Sequence, residues 1–171
     1  MRFGPVLAAG LACLPAVSRA AAPAAVPVVG CIESAASAYR LPPAVIVILL
    51  SVEGGSLGHV SQNSNGTVDI GPMQVNTIWV PVVARHWGAS ASETYAALRD
   101  NFCANVEAGT WILRQSMDEA HGDFWEGVGF YHSRDPGYKA DYLRKVLRQT
   151  LRLRSQVQRQ AVNTNLTTAG S

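Results

Sequence analysis

The sequence predicts an all-helical domain, and three observations carry that prediction. Apolar residues recur at helical spacing in successive segments from Cys31 to Leu151. Residues that favour helix starts, such as Ser90, Asp100, Asp123 and Asp135, stand immediately before those segments. The most apolar stretch, Ala44 to Val52, enters from Pro42-Pro43 and leaves through Gly54-Gly55, the cap chemistry of a helix rather than a strand.

The elements follow in order. Cys31 to Tyr39 forms a short helix with Ile32, Ala35, Ala36 and Tyr39 on one face. Leu41-Pro42-Pro43 ends it and starts the next. The run from Ala44 to Val52 is apolar on all sides; Val and Ile would also suit a buried strand, but the caps favour a central helix. Leu57 to Val68 is loop, with room for a small hairpin turning at Asn65-Gly66. Asn76 or Thr77 caps a helix towards Trp87, with Pro81 either accommodated in its first turn or breaking it. Ser90 and Glu93 have capping-box spacing for a helix to about Leu98.

Asp100 caps a longer helix that aligns Phe102, Val106, Gly109 and Leu113, and His121-Gly122 closes it. Asp123 starts a helix through Tyr131. Asp135-Pro136 opens the last one, with Tyr138, Tyr142 and Val146 on one face and Arg144, Lys145, Arg148 and Arg152 on another. That basic run suits a solvated face near a helix C-terminus; the other reading is a surface for anionic wall, membrane or protein. From Ser155 the apolar period fades, so a frayed tail is expected.

Residues 1–22 read as a secretory signal. Arg2 is followed by a short apolar stretch, Val6 to Leu14, and small residues around Ala20 suit cleavage. The stretch is shorter than the roughly 20 residues that span a bilayer. Ala/Pro-rich residues 23–30 read as a linker, 31–154 as the domain and 155–171 as a flexible C-terminal tail. With 48% hydrophobic and 15% charged residues, the chain is globular rather than disordered. Removing Arg2 and Arg19 leaves 12 basic and 12 acidic residues, which argues against nucleic acid as a partner. Loss of Cys13 leaves Cys31 and Cys103, an even pair suited to an oxidising compartment. A bridge between them would close a long loop, contributing about 4 kcal/mol by chain entropy.

The chemistry centres on Glu53. Leu49, Leu50 and Val52 precede it, so its carboxyl sits where water is scarce, which disfavours ionisation. The negative end of its helix disfavours it further. A carboxyl kept protonated near neutral pH is what a general acid requires; the plainer alternative is a helix-terminal glutamate facing solvent. His59, His86, His121 and His132 show no paired metal spacing, and no cofactor is expected. No Ser-His-Asp elbow or phosphate-binding glycine loop is present. Trp79, Trp87, Trp111 and Trp125 suit a helical core better than sugar stacking.

Three segments taken together carry a resemblance. Glu53, then Asp69-Ile70-Gly71-Pro72-Met73-Gln74-Val75-Asn76, then Gly129-Phe130-Tyr131-His132-Ser133 resemble the soluble lytic transglycosylase family of the lysozyme-like superfamily. The resemblance runs from about Cys31 to Leu147. The Asn65 to Gly71 stretch and the paired cysteines resemble the small specialised members that accompany type III, type IV and pilus secretion systems. It implies a lysozyme-like helical fold and cleavage of the β-1,4 bond between N-acetylmuramic acid and N-acetylglucosamine in peptidoglycan, in the periplasm. Glu53 would be the one catalytic carboxyl. Met73 and Gln74 would line the groove, and Tyr131 would hold the Glu53 carboxyl. Asn76 would touch sugar or cap a helix, and Asp69 would be a second carboxylate or a turn residue. Partners implied are glycan strands and components of a secretion or conjugation machine, with no transmembrane segment in the mature chain.

Three positions depart from the family pattern: Gly54 replaces a serine, Pro72 a leucine and His132 an asparagine. Two further readings therefore stand beside the first. One is a lysozyme-type hydrolase using Glu53 with Asp69. The other is a peptidoglycan-binding scaffold without activity.

Overall fold

The computed structural model describes residues 27–169; the expected signal and residues 23–26 of the linker lie outside them. Seven α-helices and one small sheet occur among the described residues. The helices are α1 Val28–Tyr39, α2 Pro43–Glu53, α3 Val80–Trp87, α4 Ala91–Asp100, α5 Phe102–Glu119, α6 Phe124–His132 and α7 Pro136–Ala169. Strands β1 Val60–Gln62, β2 Val68–Ile70 and β3 Val75–Asn76 form an antiparallel sheet in that order. The mainly helical expectation therefore holds, and the hairpin turns at Asn65-Gly66 as its sequence suggests. Asn63 and Thr67 close it, with the Asn63 N–H donating to the Thr67 carbonyl at 2.9 Å.

The frame is built around α5, which packs against α1, α4 and α6. Val106, Ala108, Ile112, Leu113 and Met117 along it are buried. On α1, Ile32, Ala35 and Ala36 face it at the predicted spacing. Helix α1 begins three residues before Cys31, inside the stretch read as linker. The structure joins Cys31 on α1 to Cys103 on α5, 72 residues apart.

Helix α2 corrects one expectation. Its caps fall as predicted, with Pro43 in its first turn and left-handed Gly54 at its end. It is not the central element, however. Only Ile46 and Leu49 are fully buried, and Val47 is 36% exposed. The all-apolar composition conceals a one-sided helix that packs against α1 and α7. Burial of those two side chains contributes roughly 1.5–3 kcal/mol each.

The remaining starts divide between success and revision. Ser90 and Glu93 form both hydrogen bonds of a capping box. Asp123 accepts from the Glu126 N–H at 2.9 Å, and Asp135 accepts from the Gly137 and Tyr138 N–H groups. Helix α5 is capped by Asn101 rather than Asp100: the Asn101 side chain accepts from the Ala104 N–H at 3.1 Å. Asp100 is occupied elsewhere, because the Arg99 guanidinium engages both its oxygens at 2.9 and 2.7 Å. Pro81 is accommodated near the start of α3, after a 3₁₀ turn over Thr77–Trp79. Helix α7 continues past Ser155, where fraying was expected, and runs to Ala169. Among the described residues, no single helix is long and apolar enough to cross a membrane.

Candidate active site

Glu53 is the last residue of α2, half-buried at the wall of a cleft of about 500 Å³. The cleft lies between the hairpin tip at Asn63 to Asn65, the β2–β3 segment, the end of α6 and the first turn of α7. Its carboxyl makes one strong contact: the Tyr142 hydroxyl on α7 donates to Glu53 Oε1 at 2.5 Å. The pKa of Glu53 is pushed up to about 7, first by burial. The Tyr142 hydrogen bond opposes that rise, the Asp69 carboxylate adds to it, and the Lys145 ammonium opposes it. The sequence argument from local apolarity identified the largest of these causes. The clamp and the two charges come from elements far away in sequence.

The loop between β2 and β3 presents Gln74 to the cleft through a tight backbone arrangement. Gln74 itself has a positive φ of 49°, and its Nε2 donates to the Gly71 carbonyl at 2.8 Å. Gly71 has φ 66°, and a Cβ there would lie 2.5 Å from both Asn105 Nδ2 and the Leu98 carbonyl oxygen. A Cβ on Gly55 would lie 2.0 Å from the Gly71 carbonyl oxygen and 2.4 Å from Gln74 Nε2. Gly55 is therefore required by close approach, and Gly71 by both close approach and conformation.

Asn105 fixes this loop from below. Fully buried on α5, it accepts from the Met73 N–H at 2.7 Å and donates to the Ile70 and Leu98 carbonyls, each at 2.9 Å. One side chain thus bonds three backbone groups drawn from the β2–β3 segment and α4. Sequence reasoning missed Asn105. A polar residue inside the apolar stripe of a long helix was the available signal.

Two expected roles are corrected. Met73 does not line the groove: it is fully buried, with its side chain against Gly109. An unbranched apolar side chain fills the space that the missing glycine side chain leaves in the core. Tyr131 reaches the cleft, but its hydroxyl donates to the Met73 carbonyl at 2.9 Å rather than to Glu53. It braces the loop while Tyr142 holds the acid.

Gln74, Asn76 and Asp69 all line the cleft with Glu53. Asn76 is heavily committed to structure. Its Nδ2 donates to Thr67 Oγ1 at 2.9 Å and Asp69 Oδ1 at 2.7 Å, and its Oδ1 accepts from the Ile78 N–H at 3.1 Å. Asp69 is thereby tethered to the sheet. His132 also lines the cleft, its ring stacked on Tyr142. Among the tryptophans, Trp79 is half-buried and borders the cleft, while Trp125 is 50% exposed rather than core. Trp79 meets Trp111 edge-on with centroids 6.4 Å apart, and Trp111 stacks on His86.

The arrangement can deliver a proton. With the Tyr142 hydroxyl on Oε1, the acidic proton of neutral Glu53 is directed to Oε2. No curated protein matches the chain. The family model described as the transglycosylase SLT domain matches residues 30–146.

Proposed function

Because the chain belongs to the transglycosylase SLT domain family, we propose that it is a peptidoglycan lytic transglycosylase with Glu53 as its single catalytic carboxyl. The observation that carries this reading is a half-buried carboxyl, still protonated up to about pH 7, in a cleft lined by polar side chains. Glu53 gives its proton to the oxygen of the β-1,4 bond between N-acetylmuramic acid and N-acetylglucosamine, and that bond breaks. The substrate's own N-acetyl oxygen stabilises the positive charge that develops at the anomeric carbon. Glu53, now a carboxylate, takes the proton of the C6 hydroxyl, whose oxygen bonds to the anomeric carbon. The product is a 1,6-anhydro ring, no water is consumed, and the carboxyl returns to its starting state. One group thus performs both proton transfers, unlike the two-carboxylate scheme of most glycosidases.

The chain's residues supply orientation and charge control. Tyr142 fixes the carboxyl, and burial keeps it neutral before the reaction. Gln74 offers polar contacts to sugar hydroxyls and amides, while Asn76, whose amide N–H groups are already donated to Thr67 and Asp69, offers only its Oδ1. Asp69 is the candidate helper in a hydrolase, but its tether to Asn76 favours an organising role. The reading extends to a periplasmic enzyme, exported by residues 1–22, that opens the wall locally for a secretion, conjugation or pilus apparatus. Support for that extension is the likeness of the Asn65 to Gly71 stretch to small specialised members and the Cys31–Cys103 bridge.

Digestion of purified sacculi tests the proposal. Mass analysis is expected to show anhydro-muramyl products without incorporation of labelled water, and none from E53Q. Reducing ends carrying the label would instead establish a hydrolase. No product from wild type would favour the binding scaffold.

A further inference from the structure

We propose that His132 is a positioning residue for Glu53, acting through Tyr142; the inference rests on the catalytic reading of Glu53 above. The His132 and Tyr142 rings lie face to face, with centroids 4.4 Å apart and planes within 5° of parallel. The same Tyr142 donates its hydroxyl to Glu53 Oε1 at 2.5 Å. Imidazole, phenol and carboxyl therefore form one relay of contacts across three helices, α6, α7 and α2.

The geometry makes the imidazole useful in a way that a side chain without a ring cannot reproduce. A tyrosine hydroxyl lies at the far end of a long rigid group, so a small tilt of the ring displaces it enough to break a short hydrogen bond. Holding a catalytic group within about 0.5 Å of its working position requires neighbours that lock the supporting side chain. The His132 ring covers one face of Tyr142 and supplies that lock from the cleft side. Burial lowers the pKa of His132, and the Lys145 ammonium lowers it further, while Asp69 acts in the opposite direction. The stacked ring is accordingly neutral at neutral pH. Asparagine, which the family resemblance places at this position, has no aromatic face to offer. His132 thus takes up a supporting role that belongs to this chain's own residue.

The test is a double-mutant cycle on soluble, uncrosslinked glycan strands, following anhydro product by mass for wild type, H132A, H132N, H132F, Y142F and H132A/Y142F. Loss of a stacked aromatic partner is expected to lower kcat about fivefold in H132A and H132N, with KM unchanged. H132F, which restores a ring face, is expected to recover most of that loss. H132A/Y142F is expected to be no slower than Y142F alone, because His132 acts only through the hydroxyl that Y142F has already removed. Thermal melting establishes that each variant is folded; if H132A does not fold, H132N and H132F carry the same comparison. Multiplicative losses in the double variant, failure of H132F to recover kcat, or a change confined to KM would each overturn the inference. Absence of anhydro product from wild type would defeat the catalytic reading itself, whereas active wild type with multiplicative variants would defeat only the role of His132.

Discussion

The Tyr142 hydroxyl meets Glu53 Oε1 at 2.5 Å across 89 residues of sequence. This contact joins the end of α2 to the second turn of α7, and it has two opposing effects. It orients the acid, and by stabilising the carboxylate it restrains the rise in pKa that burial imposes.

Replacing Tyr142 by Phe separates those effects. The variant is expected to lose about tenfold in kcat, the scale of one hydrogen bond to a charged group. The alkaline limb of its kcat/KM profile, near pH 7 in wild type, is expected to move upward, because the donor that lowered the Glu53 pKa is gone. A pH-rate series checks both, and a limb moving downward would contradict the proposed electrostatics.

Glu53 also ties stability to pH. Its folded pKa, raised from 4.5 to about 7, means that the folded protein holds this proton more tightly than the unfolded chain. The resulting stabilisation is complete below about pH 4.5 and is lost as pH rises through 7, a change of about 3 kcal/mol. E53Q, permanently neutral, is expected to lack that loss. Urea unfolding of both proteins at pH 4 and pH 8 measures the difference directly, since the other titrating groups are common to the two.

Asn105 is expected to be the most costly single polar substitution in the core. N105A leaves the Met73 N–H and the Ile70 and Leu98 carbonyls without their partner, which predicts a loss of about 3 kcal/mol. The β2–β3 loop should loosen with it. Chemical denaturation measures the first effect, and faster amide exchange at Met73 with Val106 unchanged would localise the second.

The Cys31–Cys103 bridge closes a loop spanning 72 residues. Its replacement by two serines is expected to cost about 4 kcal/mol, mainly by releasing the unfolded chain. The denaturation midpoint should fall to that of reduced wild type.

Much of this molecule was legible locally. Glu53 between an apolar run and two glycines, the Ser90–Glu93 capping box and the Asp123 and Asp135 starts depend on neighbours within a few residues, where spacing carries the information. The failures share the opposite property. Met73 turns into the core because α5 offers Gly109, and Tyr131 binds the Met73 carbonyl because the loop is folded beneath it. Tyr142 looked like one more apolar face residue of α7; its hydroxyl acquired a purpose only when α2 was brought against it. The Asp100 expectation failed on a smaller scale, since Arg99 competes for the same carboxylate.

The position of Tyr142 on α7 has a consequence during synthesis. The acid, the hairpin and the sheet leave the ribosome early, but the residue that aims the acid is made near the end of the domain. A nascent or proteolytically shortened chain lacking α7 would carry Glu53 without its clamp and without one wall of its packing. On the proposed reading of Glu53 as the catalytic acid, the aimed carboxyl is therefore one of the last features of the domain to form, and a fragment without α7 is expected to be a poor catalyst.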